Sequence, residues 1–129
     1  MKQYHALVIE DNSKNATVLE NLLAKQGFTY TEIRNPNQVR KALENVGQVD
    51  MVFLDLEMPG QDGYDVLSIL RSDTRFQNTP IVACTVHINE MNHAYQSGFH
   101  SFIGKPIDPE RFPNQVERIL SGQHVWERS

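Results

Sequence analysis

Short apolar runs alternate with longer amphipathic stretches along the chain. Ala6-Leu7-Val8-Ile9 is a continuous apolar run. Asp11-Asn12-Ser13, all capping types, come next, and Val18, Leu19, Leu22 and Leu23 then recur at helical spacing. Gly27 is a natural stop for that helix. Residues 28–33 alternate and predict a strand, after which Asn35-Pro36 offers an N-cap and a first-turn proline. Val39, Leu43 and Val46 share one helical face, closed by Gly47. The pattern then repeats. Met51-Val52-Phe53-Leu54 predicts a strand, residues 58–63 a turn-rich loop, and Tyr64, Val66, Leu67 and Leu70 a helix. Residues 80–84 predict a fourth strand. Residues 89–97 form a polar helix with Met91, Ala94 and Tyr95 on its buried side, stopped at Gly98. Residues 101–104 predict a short fifth strand, and Phe112, Val116, Ile119 and Leu120 a last helix. That helix opens at Asp108-Pro109 or, because Pro113 would break a ladder bond in its interior, near Pro113 after an irregular turn at 109–112.

Strict alternation of strand and helix implies a parallel sheet with helices on both faces. The first, third and fourth strands are continuous apolar runs, as expected of strands covered on both sides, whereas the second and fifth are mixed and belong at edges. The strand order 2-1-3-4-5 satisfies this. The expected fold is α/β: a flavodoxin-like, doubly wound, five-stranded parallel sheet with five helices.

Composition narrows the class. The 129 residues fit one domain, 1–129, with a core of about 4–121 and a polar tail, 122–129, in which Trp126 packs loosely or on a partner. Apolar residues at 40% and charged residues at 22% are ordinary for a globular chain and argue against disorder. A net charge of −4 supplies no electrostatic footprint for direct nucleic-acid binding. The single cysteine, Cys84, excludes an internal disulfide and reads as an inert core residue in a reducing compartment. No apolar stretch approaches the ~20 residues of a membrane span, so the expected location is the cytoplasm. The five histidines show no metal-ligand spacing.

In such a fold the chemistry sits outside the carboxyl ends of the strands. Glu10 and Asp11 follow the first strand, Asp55 the third, Thr85 the fourth and Lys105 the fifth. These ends are neighbours, so three carboxylates, a hydroxyl and an ammonium gather in one pocket. Clustered carboxylates call for a cation, and hard oxygen ligands suit Mg²⁺. The acidity, and the absence of a glycine-rich cradle after the first strand, argue against a nucleotide or flavin. With Mg²⁺ bound, Lys105 and Thr85 could hold a transferring phosphoryl group, and a carboxylate can itself accept it. Asp55, at a central strand end, is the best acceptor. A strand-end aspartate is also a common helix cap, and Asp11 has the spacing for that role.

The residues quoted above, with Leu56-Glu57-Met58-Pro59-Gly60, Asp62-Gly63, Phe102 and Lys105-Pro106, resemble the receiver domain of two-component response regulators over about residues 4–121. The resemblance implies a chemotaxis-regulator-like signalling switch that assists its own phosphorylation and dephosphorylation but is not an enzyme in the ordinary sense. Asp55 would take phosphate from a phosphohistidine on a histidine kinase or a histidine phosphotransfer protein. Asp11, Asp55 and the Glu57 carbonyl would hold Mg²⁺, with Glu10 acting through water. Thr85 and Lys105 would contact the phosphoryl oxygens, Phe102 would change rotamer with Thr85, and the Lys105–Pro106 bond would be cis. Output would be a contact between a downstream protein and the surface of the fourth helix, fifth strand and fifth helix.

Val86 stands where the family usually has a small residue, and Glu57 and His87 occupy rim positions with opposite charge potential. Two other assignments use the same residues. A haloacid dehalogenase-type phosphatase also pairs an aspartate nucleophile with Mg²⁺ and a lysine, but it wants an aspartate where Glu57 stands, and its nucleophile on the first strand. A receiver fragment of a hybrid histidine kinase would carry the same chemistry in a longer chain. A phosphate-independent interaction module would lack an acid or the lysine, and all are present.

Overall fold

The computed structural model describes residues 3–58 and 62–128. The first half of the chain runs β1 (His5–Ile9), α1 (Ser13–Lys25), β2 (Thr29–Ile33), a 3₁₀ turn (Pro36–Gln38), α2 (Val39–Leu43) and β3 (Met51–Asp55). There follow α3 (Gly63–Arg71), β4 (Ile81–Thr85), α4 (Met91–Ser97), β5 (Ser101–Gly104), α5 (Phe112–Leu120) and β6 (Trp126–Glu127). All neighbouring strands pair in parallel, in the order β2-β1-β3-β4-β5-β6. The expected order is therefore present, extended by one short strand. The chain reverses direction across the sheet beside β1, whose neighbours are β2 and β3, and the crevice at that reversal is where the strand-end acids lie.

Every residue of β3 and β4 is buried, which explains why their sequences do not alternate. Their side chains nonetheless divide by pleat. Leu7, Ile9, Val52, Leu54, Ile81, Ala83 and Phe102 pack on one face with residues of α2, α3 and α4. Ala6, Val8, Met51, Phe53, Val82, Cys84 and Ile103 pack on the other with α1 and α5. Each residue added along a strand thus feeds alternate cores, and together the two cores clamp the strand ends.

The local signals account for most element ends. Asn12 caps α1, its side chain accepting from the Asn15 amide at 3.0 Å. Asn35 does the same for the 3₁₀ turn, with Pro36 in its first turn. Gly27 and Gly98 take left-handed φ of 86° and 102° at the ends of α1 and α4. Of the loop expected over 58–63, residues 59–61 lie outside the described residues.

One open alternative is decided and two expectations need correction. The last helix begins at Phe112, the second of the two starts the sequence allows. Pro113 then stands in the first turn, where no amide is needed, and Asp108 caps only a local turn through the Glu110 amide at 2.9 Å. Tyr95, expected on the buried side of α4, is 65% exposed, and of that helix only Ala94 is fully buried. The third concerns the carboxyl-terminal tail. Trp126 and Glu127 pair with Phe102 and Ile103, so β5 is an interior strand and not the edge. The segment is too short and too polar to announce a strand by periodicity, and the edge of β5 supplies the pairing.

Glu20 of α1 is a buried acid whose Oε2 has no hydrogen-bond partner. Burial first, then the neighbouring Glu32 carboxylate, push its pKa up to about 7. An acid with a raised native pKa holds its proton more tightly folded than unfolded, so its contribution to stability falls as pH rises from about 4.5 to about 7. Glu20→Gln should therefore melt above the parent protein at about pH 8 and level with it at about pH 5, read by thermal denaturation across that range.

Candidate functional site: an acidic cleft closed by one lysine

The carboxyl ends of β1, β3 and β5 border an open cleft of about 800 Å³ lined by Glu10, Asp11, Asp55, Glu57, Val86 and Lys105 among others. Because Asn12, not Asp11, caps α1, the Asp11 carboxylate remains available to the cleft. Glu10, Asp11 and Asp55 each offer a carboxylate oxygen within 4.8 Å of the others. Such spacing of hard oxygen donors at the mouth of an open cleft fits a divalent cation of the Mg²⁺ type, which keeps several of its waters.

Lys105 reaches back from the end of β5 and ties the acids together. Its Nζ donates to Glu10 Oε2 at 2.7 Å and lies 3.5 Å from Asp55 Oδ1. All three side chains are nearly buried, at 11%, 6% and 7% exposed, so little water screens them. Burial alone would lower the lysine pKa, but the hydrogen bond to Glu10 and the charges of Asp55 and Glu10 outweigh it and raise it. Asp55 moves the other way. Burial pushes it up to about 7, opposed by the Lys105 charge and the Glu57 amide and assisted by the Glu10 charge. One ammonium does not compensate two buried carboxylates, so repulsion between Glu10 and Asp55 remains.

Two glycines allow the main chain to close on the site. A Cβ at Gly63 would lie 2.7 Å from the Leu56 Cα and 2.8 Å from the Asp55 carbonyl oxygen. Only a glycine lets the start of α3 press against the segment carrying the acceptor candidate, and its amide donates to the Leu56 carbonyl at 3.2 Å. The second, Gly104, immediately precedes Lys105 and meets the backbone of Arg128. The Lys105–Pro106 bond is cis.

Thr85, at the end of β4, is buried, and its hydroxyl is engaged by Glu57 and His87. Its hydroxyl donates to Glu57 Oε1 at 2.8 Å and accepts from the His87 amide at 3.1 Å. The His87 ring completes the cluster, its Nε2 standing 3.0 Å from Glu57 Oε2. The two rim positions of opposite potential thus pair with each other. Val86 is 58% exposed and lines the cleft. Phe102 lies outside the cleft, fully buried and stacked on Trp126 at 6.4 Å. Cys84 is buried with its thiol pushed up to about 12, consistent with an inert core residue. Asn15 and Asp62 also border the cleft. Asn15 had a signal in its spacing, one helical turn after Asp11, but read from sequence alone it is an ordinary polar helix residue.

A doubly wound sheet with an acidic cleft and one lysine at its carboxyl edge is the architecture of a phosphorylation receiver. The chain belongs to that family: the response regulator receiver domain matches residues 6–117. The chemotaxis protein CheY of Pseudomonas aeruginosa is 27% identical over 116 residues, covering 88% of this chain and 94% of its own. The sensor histidine kinase CheAY of Helicobacter pylori is 30% identical over 120 residues, but this chain spans only 15% of it. It likewise spans 25% of the transcriptional regulator NtrC of Proteus hauseri. Among solved structures, the receiver domain of a sensor histidine kinase of Pseudomonas aeruginosa superposes with a TM-score of 0.82 at 24% identity, over 94% of this chain and all of that one. That protein was solved with a magnesium ion in its active-site cleft. CheY4 of Vibrio cholerae also gives 0.82, at 17% identity over 92% of this chain and 99% of its own. Among the described residues no helix is long and apolar enough to cross a membrane.

Removing one carboxylate should relieve the repulsion in the unliganded cleft. Asp55→Asn is expected to melt about 4 °C above the parent protein at about pH 8 in the presence of a chelator, while Lys105→Met, which leaves two uncompensated acids, melts below it, as read by differential scanning calorimetry.

Proposed function

We propose that the chain is a phosphoacceptor switch in which Asp55 takes a phosphoryl group from a phosphohistidine of a histidine kinase or histidine phosphotransfer protein. The carrying observation is the position of Asp55 at a buried central strand end, clustered with the acids Glu10 and Asp11 and 3.5 Å from the ammonium of Lys105. The Asp55 carboxylate attacks phosphorus, a P–O bond forms as the P–N bond breaks, and the departing imidazole, already protonated on its other ring nitrogen, takes the electron pair and leaves neutral. Asp11 and Asp55 would hold Mg²⁺ directly, with the Glu57 carbonyl, and Glu10 through water. The bound ion would supply positive charge against the phosphoryl oxygens.

The protein's own groups do the rest. The Glu57 amide, 3.1 Å from Asp55 Oδ1, orients the acceptor carboxylate. Lys105 is already charged and needs only to exchange a carboxylate oxygen for a phosphoryl oxygen. Thr85 must release Glu57 before its hydroxyl can donate to the phosphoryl group, so the rim trio of Thr85, Glu57 and His87 is a latch on the resting state. Val86, Glu57 and His87 border the approach of an attacking water. The output surface on this reading is formed by α4, β5 and α5, and a downstream protein reads it.

The test is covalent. Incubation with Mg²⁺ and acetyl phosphate should add one phosphoryl group, mapped by peptide mass spectrometry to Asp55 and absent from Asp55→Asn. Modification of that variant at the same rate as the parent would overturn the assignment. Asp11→Ala should weaken Mg²⁺ binding by at least about 10-fold in a calorimetric titration, since a hard cation with few protein ligands depends on each carboxylate.

A further inference from the structure

The strand β6 fastens itself to all three elements of the proposed output face. On β5, the Phe102 amide donates to the Val125 carbonyl at 2.7 Å and Ser101 Oγ accepts from the Val125 amide at 2.9 Å. On α4, the exposed ring of Tyr95 meets Trp126 edge to face at 5.3 Å, while the other side of the indole lies nearly flat on Phe102, 17° from parallel. On α5, Glu127 accepts from Gln115 Nε2 at 2.9 Å and pairs with Arg118 at 2.8 Å, and it also pairs with Arg111, just before the helix, at 3.3 Å. The surface that would be read by a partner is thus occupied by the chain's own final residues.

We propose that β6 is a strap that holds this face closed in the resting protein and is loosened when Asp55 is phosphorylated; the proposal rests on the phosphoacceptor reading above. The mechanical link is Gly104. It is the residue before Lys105, and a Cβ there would lie 1.9 Å from the Arg128 carbonyl oxygen, so strap and β5 are in contact with no slack at that point. Lys105 is anchored on two sides: its amide donates to the Thr85 carbonyl at 2.8 Å, and its ammonium to Glu10 at 2.7 Å. A phosphoryl group on Asp55 draws the ammonium off Glu10, and the backbone of 104–105 moves with it. The close fit against Arg128 is lost by a shift of a few tenths of an ångström, because contact attraction and repulsion both change steeply at that distance.

The strap is built to yield. Its strand is two residues long, and both Trp126 and Glu127 are half-buried. Its ties to α5 are surface ion pairs, each individually weak. Val125 is the one fully buried anchor of residues 123–128. Segments with so few buried contacts open at low free energy and are the first to respond to a change in their neighbours. Coupling is reciprocal: if phosphorylation loosens the strap, loosening the strap favours the phosphorylated state.

Trp126 is the only tryptophan and reports on the strap directly. The full chain is loaded with Mg²⁺ and beryllofluoride as a mimic of the aspartyl phosphate. Acrylamide quenching of Trp126 should then rise, and amide exchange at Phe102 should accelerate about 10-fold, with neither change in Asp55→Asn. Glu127→Gln, a mild change at the polar end of the strap, should bind the Mg²⁺–beryllofluoride pair about 5-fold more tightly than the parent. Acetyl phosphate in parallel separates the two readings. If Asp55 is modified while Trp126 quenching, Phe102 exchange and the Glu127→Gln affinity stay unchanged, β6 is a permanent strand and the strap is overturned while the phosphoacceptor stands. If Asp55 is not modified at all, both fall.

Discussion

One ammonium between two buried carboxylates is the interaction on which the site depends. Lys105 can hold Glu10 and Asp55 only because β1, β3 and β5 end at the same edge of one sheet, and it cannot neutralise both. The resulting imbalance gives the cleft an affinity for further positive charge, while burial, against the pull of Lys105, pushes the Asp55 pKa up to about 7. A cation and a phosphoryl group together restore the balance: the first compensates the acids, and the second gives the lysine a new partner.

β3 and β4 are buried on both faces, so their carboxyl ends are fixed against two packed layers and cannot drift to relieve the repulsion. The lightly held parts lie around that centre: the exposed side chains of Glu57 and His87, the sparsely buried α4, and the half-buried β6. The α4 helix is additionally tied to α3, with the Tyr64 hydroxyl donating to Glu90 at 2.5 Å and the Tyr64 ring stacked on His93 at 4.4 Å. On the reading proposed above, a rigid centre with lightly held edges would convert a local exchange of hydrogen bonds into a change of surface.

The β6 strand alters the usual accounting for a short sheet. An edge strand presents unpaired main-chain groups to any extended partner, and chains commonly cover such edges. Here the cover is the chain itself, and it covers the face nearest the aromatic side chain behind the site. Glu127 gathers Arg111, just before α5, with Gln115 and Arg118 of α5.

Much of this was legible in the chain alone, for reasons that differ by element. Continuous apolar runs at residues 6–9, 51–54 and 81–84 can be satisfied only by burial on both faces, and alternation with helices then leaves few topologies; the strand order and the gathering of Glu10, Asp11, Asp55, Thr85 and Lys105 at one edge follow. Their chemistry was legible because each stands directly after a run whose end is defined by its own composition. Tertiary structure decided what depended on neighbours distant in sequence. Asn12 took the cap and left Asp11 to the cleft, a choice between adjacent residues with similar capping ability. Thr85 turned to Glu57, 28 residues away, and Glu57 to His87. Tyr95 came to the surface because Trp126, not the core, offered it a partner. Val125-Trp126-Glu127 became a strap on β5 because a strand edge imposes its pairing on whatever segment reaches it, and no local pattern in a two-residue strand can announce that in advance.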